Sequence, residues 1–201
     1  MNAKIDVTDV ILYSDRLILR PWQYSDLDDF FEYASVDGVG EMAGWEHHKN
    51  KKESLRILTH FIKNKRELAI VYKDNNKVIG SIGIKRYGLE DRLSEFFAYQ
   101  GRELGYVLSK DYWNQGLMTE AVKTVINYLF NDLNLDFILC GYFDYNAQSK
   151  RVSEKCGFVP YRSLVFTTNM GKKEKGVLTL LSNPNKDITY RFSYKSSLLI
   201  K

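Results

Sequence analysis

A glycine between a strand-like segment and a helical segment is the feature that most constrains this chain. Residues 103–108 have the composition of a strand, and a helical pattern begins just after Gly116. The apolar face of that helix consists of Val122, Val125, Ile126 and Leu129. The first backbone N–H groups of a helix have no partner within it, and its peptide dipoles place about half a positive charge at that end. The sequence therefore predicts an anion site, suited to a phosphate group, at this junction.

A second segment predicts a capped helix after the apolar strand of residues 137–143. Asn146 is a good N-cap residue, and Gly157 stands where a helix favours a left-handed residue after its end. Taken alone, either segment is also compatible with an ordinary strand-to-helix turn.

Together the two segments resemble two signatures of the GNAT acetyltransferases. Residues 112–121, Tyr-Trp-Asn-Gln-Gly-Leu-Met-Thr-Glu-Ala, resemble the loop that holds the pyrophosphate of acetyl-CoA. Their sequence is most similar to the RimJ/RimL branch of the family, which acetylates the N-termini of ribosomal proteins. Residues 146–158 resemble the signature at the other wall of the acetyl-CoA cleft. Trp113 stands where the family has Arg or Gln, and Met118 where it has Gly or Ala.

One strand and two helices are predicted ahead of these segments. Residues 14–22 alternate apolar and polar side chains, as a half-buried strand ending at Pro21 does. Ser25 is predicted to cap the next helix, with Asp28 at its third position. A second helix is predicted over residues 51–64. Its inward face is predicted to be Leu55, Leu58, Phe61 and Ile62.

The order of elements agrees with the resemblance. Residues 68–72 and 77–85 flank the turn Asp74-Asn75-Asn76 and predict a hairpin, which completes the GNAT order β-α-α-β-β-β-α-β-α-β. The resemblance, over residues 14–160, implies an α/β GNAT fold. Its single mixed, mostly antiparallel sheet is flanked by helices and splayed between the fourth and fifth strands, residues 103–108 and 137–143. Less recognisable strands are predicted at 164–169, 176–181 and 188–194.

Length and composition predict a single domain over residues 1–201. With 44% hydrophobic residues the chain can bury one substantial core. Its sequence has neither a membrane-length apolar run nor a secretion signal, which predicts a cytoplasmic protein without a membrane partner. The net charge of +4 is scattered in short basic runs and does not indicate nucleic-acid binding. A monomer and a homodimer both stay open.

The two cysteines are Cys140 and Cys156, and their spacing fits neither a metal site nor a disulfide framework. They are predicted to be reduced core thiols. A mixed disulfide between Cys140 and coenzyme A is a minor alternative.

The chemistry implied by the resemblance is acyl transfer from a thioester to an amine, which must first lose a proton. At pH 7 a lysine-like amine is neutral in roughly one molecule per few thousand, and an α-amine in roughly one per ten. Glu103, at the head of the fourth strand, is predicted to be the base, acting through water. A surface carboxylate at a strand start is the alternative.

The resemblance also implies a set of acetyl-CoA contacts. The backbone of Tyr106, Val107 and Leu108 would bind the pantetheine arm. The predicted pyrophosphate loop is Asn114, Gln115, Gly116, Leu117, Met118 and Thr119. Asn146 would hold the pantetheine arm, and Ser149 would give a proton or a hydrogen bond to the departing thiolate. A simple cap and a polar first-turn residue are the alternatives, and Tyr142 and Tyr145 are further candidates for the acid.

The acceptor pocket is predicted beside residues 40–49, between the first two helices, with Trp45, His47 and His48 lining it. Adjacent histidines without further ligands predict no metal. The predicted function is an acetyl-CoA-dependent N-acetyltransferase that acts on a protein N-terminal α-amine by direct attack in a ternary complex. The alternatives are acetylation of a small amine, such as a polyamine, an amino sugar or an antibiotic, and a non-catalytic acetyl-CoA-binding module.

Overall fold

The computed structural model describes residues 1–88 and 96–186, and an eight-stranded sheet runs through them in the order β1-β2-β3-β4-β5-β6-β8-β7. The strands are β1 (Leu12–Tyr13), β2 (Leu17–Pro21), β3 (Glu67–Tyr72), β4 (Lys77–Lys85), β5 (Gly101–Leu108), β6 (Phe137–Phe143), β7 (Val159–Thr167) and β8 (Lys173–Ser182). The helices are α1 (Leu27–Ala34), α2 (Lys51–Asn64), α3 (Leu117–Asn127) and α4 (Ala147–Lys155). Among the described residues, no helix combines the length and the apolar character needed to span a membrane.

The sheet is antiparallel at every strand pair except β5 with β6. These two strands run parallel, because the connection through α3 returns the chain to the end of the sheet at which β5 began. Their pairing starts at Gly101 with Phe137 and ends at Leu104 with Cys140, although both strands continue. The predicted splay between the fourth and fifth strands is therefore confirmed, and these strands are β5 and β6 because the short β1 precedes the predicted set.

Two of the three apolar clusters among the described residues pack on opposite faces of the sheet. One lies under α3 and α4, and the other lies under α1 and α2. Side chains alternate between the faces along a strand. On β5, Leu104, Tyr106 and Leu108 pack in the first cluster, whereas Val107 packs against the second. Glu103 and Gly105 consequently face the same side as α1 and α2.

Capping residues and apolar patterns in the sequence predicted most of the other helices and strands correctly. The predicted helix over 51–64 is α2, and its N-cap Asn50 accepts a hydrogen bond from the backbone N–H of Glu53. Asn146 caps α4 by accepting from the N–H of Ser149, and Gly157 has φ +85°. The predicted strands 164–169 and 176–181 overlap β7 and β8. The third strand predicted there, 188–194, lies outside the described residues.

The predicted cap of the first helix was wrong. Ser25 lies inside a 3-10 turn (Tyr24–Asp26), and the N-cap of α1 is Asp26. The carboxylate of Asp26 accepts a hydrogen bond from the backbone N–H of Gln23. It also forms a bidentate salt bridge with Arg20, at 2.8 Å. The carboxylate of Asp26 is thus engaged with the preceding turn and with β2, and it makes no capping hydrogen bond to α1.

The inward face of α2 was also predicted with one error. Leu58 is fully buried, and Phe61 and Ile62 pack against the α1–α2 cluster, but Leu55 is 41% exposed. Its neighbour Ser54 faces inward instead, because its hydroxyl is hydrogen-bonded to the buried His48 ring. The buried face of α2 is thus rotated toward a polar contact that apolar spacing does not reveal.

Candidate active site

The splay between β5 and β6 opens into a cleft of about 1470 Å³. Small-molecule pockets usually measure about 300–1,000 Å³. The cleft therefore has room for a cofactor and for part of a second molecule. It extends from the first turn of α3, past the ends of β5 and β6, to the loop before α2 and to the β7–β8 connection.

The loop before α3 ends at a glycine N-cap. Gly116 is the N-cap of α3 with φ +78°, which glycine adopts without the strain that other residues incur. The guanidinium of Arg16 forms a salt bridge of 2.7 Å with Glu120, in the first turn of α3. It also donates a hydrogen bond to the carbonyl of Gln115 at 3.1 Å. Ser14 also donates to Glu120. The start of α3 is thereby fixed to the residues that precede β2.

The two departures from the family pattern are packing residues. Trp113 contacts both apolar clusters, and its indole N–H donates to the carbonyl of Leu108 at 2.8 Å. Met118 is 7% exposed and belongs to the α3–α4 cluster. Both side chains pack mainly against the core, although both residues also border the cleft.

Most of the predicted cofactor residues border the cleft. On β5 and in the loop these are Tyr106, Val107, Leu108, Asn114, Gly116, Leu117, Met118 and Thr119, and on α4 they are Asn146 and Ser149. Gln115 is not part of the lining, and its side-chain amide donates to the carbonyl of Asp111. The structure thus brings together segments that are distant in sequence, while their roles in binding stay predictions.

Glu103 faces the cleft on the side of α1 and α2. Burial raises the pKa of its carboxyl group, and the nearby charge of Lys85 opposes that rise. Lys85 is directly opposite Glu103 in the register of β4 and β5. Glu103 is therefore a cleft carboxylate with a perturbed pKa, and not a solvated residue at a strand start.

Ser149 has a partner that sequence reasoning missed. The hydroxyl oxygens of Tyr106 and Ser149 are 2.9 Å apart, and the carbonyl of Ser149 lies 3.3 Å from the same tyrosine oxygen. Burial raises the pKa of Tyr106 well above its ordinary value, so the phenol keeps its proton. Sequence analysis assigned only backbone contacts to Tyr106. The signal was available in the alternation of β5, which points residue 106 toward α4.

The other residues proposed near the thioester are largely engaged in the fold. Asn146 is 7% exposed; its side-chain oxygen caps α4, and its amide donates to the carbonyl of Met42 at 2.9 Å. Tyr142 is buried, whereas Tyr145 is half exposed with its hydroxyl 3.5 Å from the carbonyl of Glu41. Asn146 thus ties the acceptor-side loop to α4.

Both cysteines are free and buried, with their thiols among core residues. Burial raises the pKa of Cys140 to about 12. Because the thiolate is the reactive form, this environment disfavours disulfide exchange at Cys140.

The predicted acceptor residues differ in their environments. His48 is 6% exposed, and its Nδ1 lies 2.7 Å from the hydroxyl of Ser54. Burial lowers the pKa of this imidazole. Trp45 is half buried and packs on His48 with ring centroids 5.1 Å apart. His47 is more exposed, with its Nδ1 3.0 Å from a carboxylate oxygen of Glu41. All three border the cleft.

Potential ligand atoms of Asp37, Glu41 and His47 lie within 4.8 Å of one another. Sequence analysis noticed only the paired histidines and missed this group. Glu41 already accepts hydrogen bonds from the backbone N–H groups of Gly38 and His47, and Asp37 is 91% exposed. These hydrogen bonds show that Glu41 stabilises the turn before α2, and we assign no metal to the group.

A splayed parallel strand pair beside a glycine-started helix and a cleft carboxylate is the arrangement that the resemblance to the GNAT acetyltransferases predicts. Residues 16–159 match the family model described as an acetyltransferase (GNAT) domain, and the chain belongs to this family. It is an acyltransferase, with acetyl-CoA as its co-substrate.

Known relatives agree with that assignment. Over 153 residues the chain is 29% identical to the uncharacterized N-acetyltransferase YoaA of Bacillus subtilis (strain 168), which covers 74% of this chain and 82% of YoaA. The ribosomal-protein-S5-alanine acetyltransferase from Vibrio fischeri has a TM-score of 0.64 and 23% identity, covering 88% of this chain and 98% of that chain. Spermidine N-acetyltransferase from Vibrio cholerae, solved with CoA and spermine, has a TM-score of 0.66 and 17% identity, covering 85% and 97%. At these identities the two structures show the fold alone.

Proposed function

We propose that this protein transfers the acetyl group of acetyl-CoA to the α-amine of a protein N-terminus, as the RimJ/RimL-like branch that it resembles does. The observation that carries the proposal is Glu103, a half-buried carboxylate on the acceptor side of the point where β5 and β6 separate, with a pKa raised by desolvation. An α-amine needs only a modest base, because about one molecule in ten is already neutral at pH 7. A carboxylate whose pKa is raised by burial suits that task.

The reaction is direct attack in a ternary complex. The acceptor nitrogen attacks the acetyl carbonyl carbon, and its proton passes through water to Glu103. The tetrahedral intermediate then collapses with cleavage of the carbon–sulfur bond. Ser149 gives the departing thiolate a proton or a hydrogen bond, and Tyr106, whose hydroxyl oxygen is 2.9 Å away, holds the serine hydroxyl in place. The products are the N-acetylated acceptor and coenzyme A, and Glu103 and Ser149 regain their starting protonation states by proton exchange with water.

Acetyl-CoA is proposed to lie along the splay. Its pyrophosphate accepts hydrogen bonds from the N–H groups of residues 115–119 at the positive end of α3. Its pantetheine arm pairs with the backbone of β5 at Tyr106, Val107 and Leu108, beyond the last residue of β5 that is paired with β6.

The organisation of residues 1–201 as one domain also stays a prediction.

Gly116→Ala is expected to weaken acetyl-CoA binding about tenfold. An alanine at φ +78° is strained by about 1–3 kcal/mol, and relief of that strain turns the loop N–H groups away from the phosphates. Calorimetric titration with acetyl-CoA measures the effect. Gly157→Ala is the matched control, because Gly157 has φ +85° and does not border the cleft. Equal affinities in the two variants would place the pyrophosphate elsewhere.

The acceptor class is tested by measuring thiol release from acetyl-CoA with a panel of amines. The panel contains unblocked peptides without lysine, the same peptides with acetylated N-termini, blocked peptides with one lysine, and spermidine. We expect turnover of the unblocked peptides alone. Turnover of spermidine without any peptide would support the small-amine alternative, and acetyl-CoA binding without turnover of any acceptor would support the non-catalytic module.

A further inference from the structure

The side chain of Lys85 lies across the sheet on the acceptor side of the cleft. Lys85 is the last residue of β4, and it stands directly opposite Glu103 of β5. Gly83 of β4 and Gly105 of β5 also stand opposite each other. The Cε of Lys85 is 3.5 Å from the place that a Cβ at residue 83 would occupy, and its ammonium nitrogen is 2.7 Å from the corresponding place at residue 105. The two glycines thus make room for a lysine side chain that reaches from β4 to β5.

This position brings a positive charge close to Glu103. Residues 103 and 105 are two positions apart on β5, so they lie on the same face of the sheet, about 7 Å apart along the strand. Lys85 and Glu103 both border the cleft. Lys85 makes no salt bridge with any residue that the structure describes. Its charge therefore acts on the carboxyl group of Glu103 without occupying the carboxylate oxygens.

The protein gives the carboxylate of Glu103 little other support. The described residues donate no hydrogen bond to it, whereas Glu120 accepts hydrogen bonds from Ser14 and Arg16. Desolvation raises the pKa of Glu103, and within the described part of the chain the positive charge of Lys85 is the one influence that opposes this rise. The ionised form of Glu103 therefore depends on Lys85.

Other ionisable groups near Glu103 do not replace Lys85. Cys140 of β6 keeps its proton, because burial raises the pKa of its thiol to about 12. Glu67 of β3, which stands opposite Gly83, is itself a carboxyl group and supplies no positive charge. The remaining groups that border the cleft from α2 and from the turn beside β5 are Glu53, Arg56, His60 and Glu41. The pKa of Glu103 is shifted by none of them.

We propose that Lys85 is a positioning residue that keeps Glu103 ionised as the base of the acetyl transfer. The proposal rests on the proposed function and adds a residue that acts through the base rather than on the substrate. A base must lose its own proton before it can take one from the amine, and a neighbouring positive charge favours the ionised form. Because the ammonium group makes no direct bond to the carboxylate, Glu103 stays free to accept the proton through water.

The first measurement is the titration of Glu103 itself, which requires no turnover. NMR of protein with isotope-labelled glutamate carboxyl carbons follows the group, and its resonance is the one missing from Glu103→Gln. Lys85→Met keeps the length of the side chain and removes its charge. We expect the midpoint of the Glu103 titration to rise by about half to one pH unit, a modest shift because Lys85 is exposed and water screens its charge. Lys85→Arg keeps the charge and should stay near the wild-type midpoint.

The second measurement is kcat with saturating acetyl-CoA and an unblocked peptide without lysine. Below the wild-type midpoint, Lys85→Met should be about 3- to 10-fold slower than the wild type, which is the same shift expressed as the ionised fraction of the base. On the plateau at higher pH the two rates should agree. Comparing the two proteins at one pH cancels the titration of the free peptide amine.

Lys150→Met is the matched control for both measurements. Lys150 is 56% exposed, lies on α4 outside the cleft lining and is paired with Glu154. Removal of its charge should change neither the titration midpoint of Glu103 nor the rate at low pH.

The outcomes distinguish an electrostatic role from a structural one. An unchanged midpoint in Lys85→Met would overturn the proposal. A raised midpoint with an unchanged rate at low pH would also overturn it, because ionisation of Glu103 would then not limit the reaction. An equal loss of rate at every pH in Lys85→Met and Lys85→Arg would assign Lys85 to packing instead. Failure of the proposed function is detected separately, as absence of N-terminal acetylation by the wild type in the peptide panel. It would leave the coupling measured by NMR and remove its role in catalysis.

Discussion

Glu103→Gln is expected to lower kcat by about 10²- to 10⁴-fold, the usual contribution of general acid–base assistance. The amide keeps the size of the carboxyl group but cannot take the proton of the attacking amine. Because Glu103 faces the acceptor side of β5, while the N–H groups before α3 and the exposed β5 backbone are unchanged, acetyl-CoA affinity should stay the same. Steady-state kinetics and calorimetry measure the two quantities.

The pH dependence provides the sharper readout. Burial raises the pKa of Glu103, and the base works only when it is ionised, so the wild-type rate should rise as pH passes through that raised pKa. A carboxyl group with a raised folded-state pKa binds more protons in the folded protein than in the unfolded one. Stability therefore falls as pH rises from the unfolded toward the folded pKa. Glu103→Gln should lack both the kinetic limb and this loss of stability.

Glu154→Gln is the control for this experiment, because it makes the same chemical change at an exposed carboxylate of α4 that is paired with Lys150 and lies outside the cleft lining. It should retain the wild-type rate and pH profile. If Glu103→Gln also matches the wild type in the height and the shape of the profile, Glu103 is structural and the base lies elsewhere.

Elements whose limits depend on neighbouring residues were predicted well from the sequence. Asn146 and Gly157 delimit α4 because capping is satisfied within a few residues of the chain. The polar turn between β3 and β4 likewise fixed the hairpin. The splay between β5 and β6 was predicted instead from the family resemblance, because no feature of residues 103–108 indicates where the pairing of the two strands ends.

Errors arose where a distant residue changed the local preference. Ser25 and Asp26 both lie in a 3-10 turn ahead of α1, and Asp26 is held there by Arg20 of β2. Leu55 has the spacing of a buried residue, but the inward position is occupied by Ser54, whose hydroxyl is bonded to the buried His48. Apolar periodicity does not contain either contact.

The candidate site was predicted from motifs and missed the residues that only tertiary structure assembles. Tyr106 reaches Ser149 across the interface between β5 and α4. Glu67 comes to the cleft through the register of β3 and β4, and no short segment of the sequence specifies which strands pair. Glu103 was found because it lies inside the segment that carries the resemblance.

The final prediction separates α-amine from lysine acceptors through their own pKa values. For an unblocked peptide without lysine, kcat/KM should climb with pH and level off near about 8, where the amine's titration ends. For a blocked peptide with one lysine the climb should continue past about 9, unless the site lowers that pKa by burial. At pH 7 the neutral fractions differ by roughly a few hundred-fold, so the unblocked peptide should react faster by a comparable factor if the two bind equally. Rates for both peptides, measured with the same enzyme across one pH series, provide the comparison. A profile for the unblocked peptide that still rises past about 9 would mean that its α-amine titration does not control the reaction, and it would remove the kinetic argument for an N-terminal acceptor.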